Sequence, residues 1–295
     1  MTSVVTAARQ EPVGVHGPGS RSSKWLAIGL FILGAGAAAV SLLGPLVFDV
    51  IRYHVSAGAT NQVVGGDVAG LLLMAPVSGI AGILVWRRHR AGSVLALGPA
   101  AYALYMYSQL ALGNDVDRYP GNSEQFFPLF LGLLVLSGAI AIGAWSVTSR
   151  SDLPVPPSSV RRIFGWFAVI VAAFLVLGLH LPTLLDVSAG QPGPEYVSDP
   201  VVFWLVKLMD LGLVTPALLA VGFGLVARKG WAIKPMYAAA GWIALLGSSV
   251  AGMALMMQLT SDPAATVANS VAFGLFAVIG LAVALAVYRP LFGRN

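Results

Sequence analysis

Eight mainly apolar stretches follow one another along this chain, at 25–48, 63–86, 92–113, 126–148, 162–184, 200–227, 231–257 and 265–288. Each reaches the roughly 20 residues that a helix needs to cross the hydrocarbon core of a bilayer. That run of lengths constrains the fold more than any other feature. In lipid every backbone N–H and C=O must be satisfied internally, and a helix does this within one segment. Composition agrees. Only 10% of the residues are charged and 57% are hydrophobic, with a mean hydropathy of +0.83, whereas a soluble domain carries roughly 25% charged residues. The expected fold is therefore all-α, a bundle of eight transmembrane helices.

Residues 1–23 are polar, rich in Gly, Pro and Ser, and read as a disordered tail. The first apolar run exceeds the roughly 7–15 residues of a signal-peptide core, so it is read as a retained helix despite the small-residue tract at Gly36-Ala37-Ala38-Ala39. Helices one to four occupy 24–148 and helices five to eight 162–288, with a Pro-rich linker at 149–161 and a short tail at 289–295. Basic residues gather in alternate loops: Arg87, Arg88 and Arg90; Arg150, Arg161 and Arg162; Arg228, Lys229 and Lys234. The tail adds Arg9, Arg21 and Lys24, and the end of the chain Arg289 and Arg294. The opposite loops hold Arg52, Arg118 and most of the acids, among them Asp49, Asp115, Asp117, Glu124, Asp186, Glu195, Asp199 and Asp262. By the positive-inside rule both termini are expected on the cytoplasmic side. Trp25, Trp86, Trp145, Trp166 and Trp231 fall at the same, basic helix ends, as an interfacial belt does.

The second and sixth helices echo each other. The second has Asp67, Gly70, Pro76 and then Arg87-Arg88; the sixth has Asp210, Gly212, Pro216 and then Arg228-Lys229. Four helices per half would make a true repeat parallel. The spacings differ by several residues, so duplication and shared membrane constraints both remain open. The run GGDVAGLLLMAPVSG with its basic turn and YALYMYSQLALG, together with LMDLGLVTPALLAVGFGLVARKGW, resembles an uncharacterised family of bacterial polytopic membrane proteins, over residues 60–140 and 200–260. The resemblance implies this architecture in a bacterial cytoplasmic membrane and brings no activity with it.

Charge within a span is costly, about 2.5–3.5 kcal/mol at a helix centre on the insertion scale, and is the first place to look for function. Lys207 and Asp210 lie three residues apart, close enough to pair along one helix face. They read either as a self-compensating pair, with Lys207 reaching outward along its stem, or as contacts for a ligand, ion or partner helix. Asp67 lies about 6 Å inside its span, at about 1.5 Å per residue, and reads as a hydrated cap or as a site residue. Tyr102, Tyr105 and Gln109 share a face of the third helix, with Tyr107 nearby, as interfacial tyrosines or as a ligand wall. His180 precedes Pro182 and reads as a satisfied or wet histidine. Gly66 and Gly70 form a GxxxG, expected at a close helix crossing.

There is no H-E-x-x-H, P-loop or G-x-S-x-G in the chain. Its four histidines lack metal-site spacing, and Asp115-Val-Asp117 reads as solvated charge. The absence of cysteine excludes thiolate metal sites and thiol redox chemistry. No cofactor, metal or nucleic-acid partner is expected; the basic residues are dispersed through short loops. The partners expected are the bilayer and an unknown small molecule, ion or membrane protein. The reading is a binding or transport protein with an outward-facing polar cavity formed by Asp67, Tyr102, Tyr105, Gln109, Lys207 and Asp210. The two acids would take a cation or donors, Lys207 an anionic group, and the tyrosines would supply walls. A non-catalytic partner subunit or sensor is the alternative, and an enzyme acting on a lipid-linked substrate the weakest of the three.

Overall fold

The computed structural model describes residues 20–262 and 265–293, with side chains from residue 24 onward. The tail expected at 1–23 thus falls almost wholly outside the described residues, and Ser20 already opens the first helix. Among the described residues all regular structure is helical. In chain order the long helices are α1 (Ser20–Leu43), α2 (Ala57–Trp86), α3 (Ala91–Leu112), α4 (Phe127–Val147), α5 (Ser158–Ser188), α6 (Pro200–Val226), α7 (Ile233–Leu259) and α8 (Val267–Tyr288). Seven of them are long and apolar enough to cross a membrane. The exception is α3. It carries no charge and has the length, but Pro99, three tyrosines, Gln109 and two serines dilute its apolarity. It is instead an interior helix, with Gly98, Pro99, Ala100 and Ala103 buried among its neighbours.

Three helices change register beside a proline. Gly70–Met74 in α2, Phe174–His180 in α5 and Asp210–Val214 in α6 are π-helical, and Pro76, Pro182 and Pro216 each follow two residues later. A proline ring clashes with the carbonyl four residues back and offers no N–H to it. A widened turn absorbs both effects. The residue before each proline donates instead to the carbonyl five residues back: Ala75 to Gly70, Leu181 to Val176 and Thr215 to Asp210.

These widened turns fix the register between α2 and α6. An offset of 140 residues carries Pro76 onto Pro216, the π segment Gly70–Met74 onto Asp210–Val214, and Ala75–Trp86 onto Thr215–Val226. The same offset carries Arg88 onto Arg228, both left-handed with φ of 55° and 56°. It also superposes the closing bonds, His89 N–H to Leu84 and Lys229 N–H to Gly224. The echo expected between Asp67 and Asp210 is therefore out of register. Lys207 corresponds to Asp67, and Asp210 corresponds to Gly70.

The helix neighbours repeat as well. α1 packs on α2 as α5 packs on α6, and α3 on α4 as α7 on α8. The two halves meet where α3 crosses α7, with Gly98 and Gly241 back to back, so that a Cβ on either would come within 2.9 Å of the other's Cα. The halves then part ways. α2 lies tightly along α7, where a Cβ at Gly65 would overlap the Gly252 carbonyl, whereas α6 touches α3 only lightly. α8 packs on Ser158–Ala173 of α5 and little on the remainder, so the upper ends of α5 and α8 separate beyond the Phe174–Phe273 ring contact. In the expected GxxxG, Gly66 faces Met253 and Ser249 of α7, and Gly70 faces Ser41 of α1. The closest approach, at Gly65, lies one residue outside that motif.

The tight crossing gives a direct test. Gly65→Val forces side-chain atoms into the α7 backbone and should destabilise the protein by about 1–3 kcal/mol, the usual cost of overpacking. Gly274→Ala, where an added Cβ meets nothing within 4 Å, should leave the thermal unfolding midpoint in detergent unchanged or slightly raised.

Candidate functional site

The upper, acid-bearing loops are tied to one another rather than to solvent alone. His54 is buried and held on both ring nitrogens, by the Tyr119 carbonyl and the Glu124 carboxylate, each at 2.6 Å. Its backbone N–H donates to Asn114, whose side-chain oxygen also takes the Ser123 hydroxyl. Ser56 caps α2 and donates its N–H and its hydroxyl to the two oxygens of Asp199, the residue that precedes α6. That bond ties the first turns of α2 and α6 together at the rim of a cavity.

The cavity has a volume of about 1220 Å³, above the roughly 300–1,000 Å³ of common small-molecule pockets. It reaches from the acid-bearing loops into the middle of the bundle. Asp67, Tyr102, Tyr105, Gln109, Lys207 and Asp210 all line it. Four separate stretches of sequence thus supply one wall: the first turns of α2, the second half of α3, the widened part of α5 and the first half of α6. Phe174 and Leu175 of α5 and Phe273 and Phe276 of α8 also line it, so the cavity combines polar groups with apolar surface.

Lys207 and Asp210 do not pair. Asp210 is buried and takes the Tyr105 hydroxyl at 2.7 Å on one oxygen and His180 Nε2 at 2.8 Å on the other. A carboxylate only accepts, so Tyr105 O–H and His180 Nε2–H are the donors. Lys207 turns back one turn along its own helix, and its ammonium sits 3.2 Å from the centre of the Phe203 ring. There it lies in the field of both Glu195 and Asp210 without forming an ion pair with either. The three-residue spacing permits a pair. Two better-placed donors on other helices take the carboxylate first.

His180, read from the sequence as a satisfied or wet histidine and left out of the candidate set, stands at the site, bonded to Asp210. It is 2% exposed, lines the cavity and leaves Nδ1 without a partner. The sequence places it two residues before Pro182, and that widened turn aims the ring at Asp210 of the neighbouring helix. Asp67 is also buried, and its Oδ2 has no hydrogen-bond partner. Tyr53, Tyr102 and Tyr107 stand close enough to feel its charge, and the Tyr53 hydroxyl is likewise unpartnered. Trp242 of α7 packs edge-on against Tyr105 at 5.8 Å. Among the described residues no three His, Asp or Glu side chains converge as metal ligands, and Asp115 and Asp117 stay in their loop.

Compared with known proteins, the chain matches no family model, no curated protein and no solved structure. Its function therefore has to be argued from the cavity.

The His54 contacts carry a pH signature. The Tyr119 carbonyl, followed by the Glu124 carboxylate, raises its pKa above the ordinary histidine value of about 6.5. A group whose pKa is raised on folding stabilises fully below its unfolded pKa and ceases to do so as pH climbs through the folded value. The difference in unfolding midpoint between the native protein and His54→Gln should be largest below about pH 6 and shrink steadily above about pH 6.5. A difference that grew with pH would mean that His54 is held neutral.

Proposed function

We propose that this is a multi-pass membrane protein of eight spans that binds a small molecule in a cavity open to the outer face. α3 is counted as the eighth span: it is an uncharged helix of 22 residues enclosed by apolar neighbours, so it needs little apolarity of its own. The basic loops and the tryptophans at the same helix ends support a cytoplasmic placement for both termini. The bacterial cytoplasmic membrane is the setting that the sequence resemblance implies.

One observation carries the reading. Polar residues from α2, α3, α5, α6 and the loop before α2, scattered over more than a hundred positions, converge on a single cavity, and three of their buried polar atoms have no partner there: Tyr53 Oη, Asp67 Oδ2 and His180 Nδ1. Buried polar groups are nearly always satisfied, and an orphan calls for an explanation such as a ligand or water. A docking face for a partner helix would instead present its charges on the outside of the bundle. Lys207 and Asp210 are both buried. The widened turns at Pro76, Pro182 and Pro216 all lie at cavity depth and give α2, α5 and α6 points at which to bend, as transport requires.

The absence of cysteine makes the test clean. A single cysteine at Met257, which lines the upper cavity, should react with a membrane-impermeant maleimide from the outer face of intact cells. One at Val85, buried at the opposite end of α2, should react from neither face. Labelling of the Met257 variant only in inverted vesicles would reverse the orientation, and no labelling from either side would mean a closed bundle.

A further inference from the structure

The charges lining the cavity do not balance. Five carboxylates, Asp67, Glu195, Asp199, Asp210 and Asp262, face one lysine and one histidine. Most of them are accounted for. Asp199 holds Ser56, Asp210 holds His180 and Tyr105, and Asp262 accepts from Asn61. Lys207 is occupied by the Phe203 ring and by the fields of Glu195 and Asp210. Asp67 remains. It is 7% exposed, one oxygen has no partner, and no basic side chain among the described residues pairs with it.

What surrounds Asp67 indicates what would neutralise it. Tyr53, Tyr102 and Tyr107 line the same cavity, Ser41 hydrogen-bonds Asp67, and Met253, Ser249 and Met106 face the adjoining Gly66. Aromatic faces attract cations, and organic ammonium groups are the ligands that cages of such rings recognise. A bare metal ion fits poorly, because Asp67 is joined by no second carboxylate or histidine in a ligand cluster among the described residues, only by hydroxyl groups, rings and thioethers. The cavity is also far larger than an ion. Its apolar lining, with Val171, Phe174, Leu175, Phe273 and Phe276, would accept a hydrophobic body.

We propose that the cavity binds an amphipathic organic cation, its charged group held by Asp67 among Tyr53, Tyr102 and Tyr107 and its apolar body against α5 and α8. The inference rests on the outward-open cavity proposed above and names the class of its ligand. Asp67 and Lys207 occupy corresponding positions in the two halves; Lys207 lies in the field of Glu195 and Asp210, whereas no charged side chain among the described residues pairs with Asp67.

Three rigid probes of similar size separate the possibilities: tetraphenylphosphonium, tetraphenylborate and triphenylphosphine oxide. Binding is measured on the purified protein in nanodiscs of zwitterionic lipid. The phosphonium should bind saturably and at least tenfold more tightly than the other two. Asp67→Asn should weaken it at least tenfold. Tyr102→Leu should weaken it as well, and Tyr102→Phe, which keeps the ring, should restore most of the affinity. Should Asp67→Asn fail to fold, the native protein still decides. The phosphonium should slow labelling of Asp67 by dicyclohexylcarbodiimide, and the borate should not. Equal affinity for cation and anion, unchanged affinity in Asp67→Asn, or labelling indifferent to the cation each overturns the proposal. Tight binding of the borate or the phosphine oxide alone would do so while leaving a ligand-binding cavity in place. A Met257 cysteine closed to maleimide would instead overturn the cavity itself.

Discussion

Asp210 accepts hydrogen bonds from two directions, from the Tyr105 hydroxyl on α3 and the His180 ring on α5, and so ties three helices together inside the bundle. The upper part of α5 has little else to hold it. Leu181–Ser188 contributes no buried residue and makes few contacts with other helices. A buried carboxylate without donors would be costly here, and a histidine or tyrosine hydroxyl without an acceptor nearly so. Each group therefore needs the other two, and the cluster sets where α5 stands relative to α6. The position of α5 in turn sets the gap beside α8 and the shape of the cavity.

The two halves share a plan and differ where the cavity lies. Both carry a widened turn before a proline, an α-helical run of the same length and a left-handed arginine at the basic end. The pair Gly65 and Gly252 closes the crossing of α2 with α7, and no such pair closes α6 onto α3. The open space follows from that difference. Polar side chains can stand in it because the residues at corresponding positions differ, Asp67 against Lys207 and Gly70 against Asp210.

Much of the fold was legible from apolar run length alone, because a backbone in lipid has few alternatives to helix. The all-helical character and the succession of long apolar helices could be read from the sequence, with bounds that differ by a few residues. α3 was read as one more apolar span, with its tyrosines and Gln109 as interfacial residues or a ligand wall; they line the cavity, and they dilute the apolarity of that helix. The six candidate residues could be named because polarity within a span is conspicuous. Their partners could not. Lys207 and Asp210 looked paired because spacing along one helix is visible in a sequence, whereas a donor on another helix is not. His180 was left out of the candidate set because its contact depends on a π turn, and no simple residue pattern predicts which proline produces one. The register of the echo between α2 and α6 failed for the same reason: aligning acid with acid gives a different answer from aligning proline with proline.

The most direct test is a pair of double-mutant cycles on thermal stability, His180→Gln with Asp210→Asn and Lys207→Gln with Asp210→Asn. Side chains in contact couple by about 0.5–3 kcal/mol, and residues without a shared contact add within about 0.3–0.5 kcal/mol. The account predicts coupling above about 1 kcal/mol for His180 with Asp210 and near-additivity for Lys207 with Asp210. Strong coupling to Lys207, with none to His180, would contradict it.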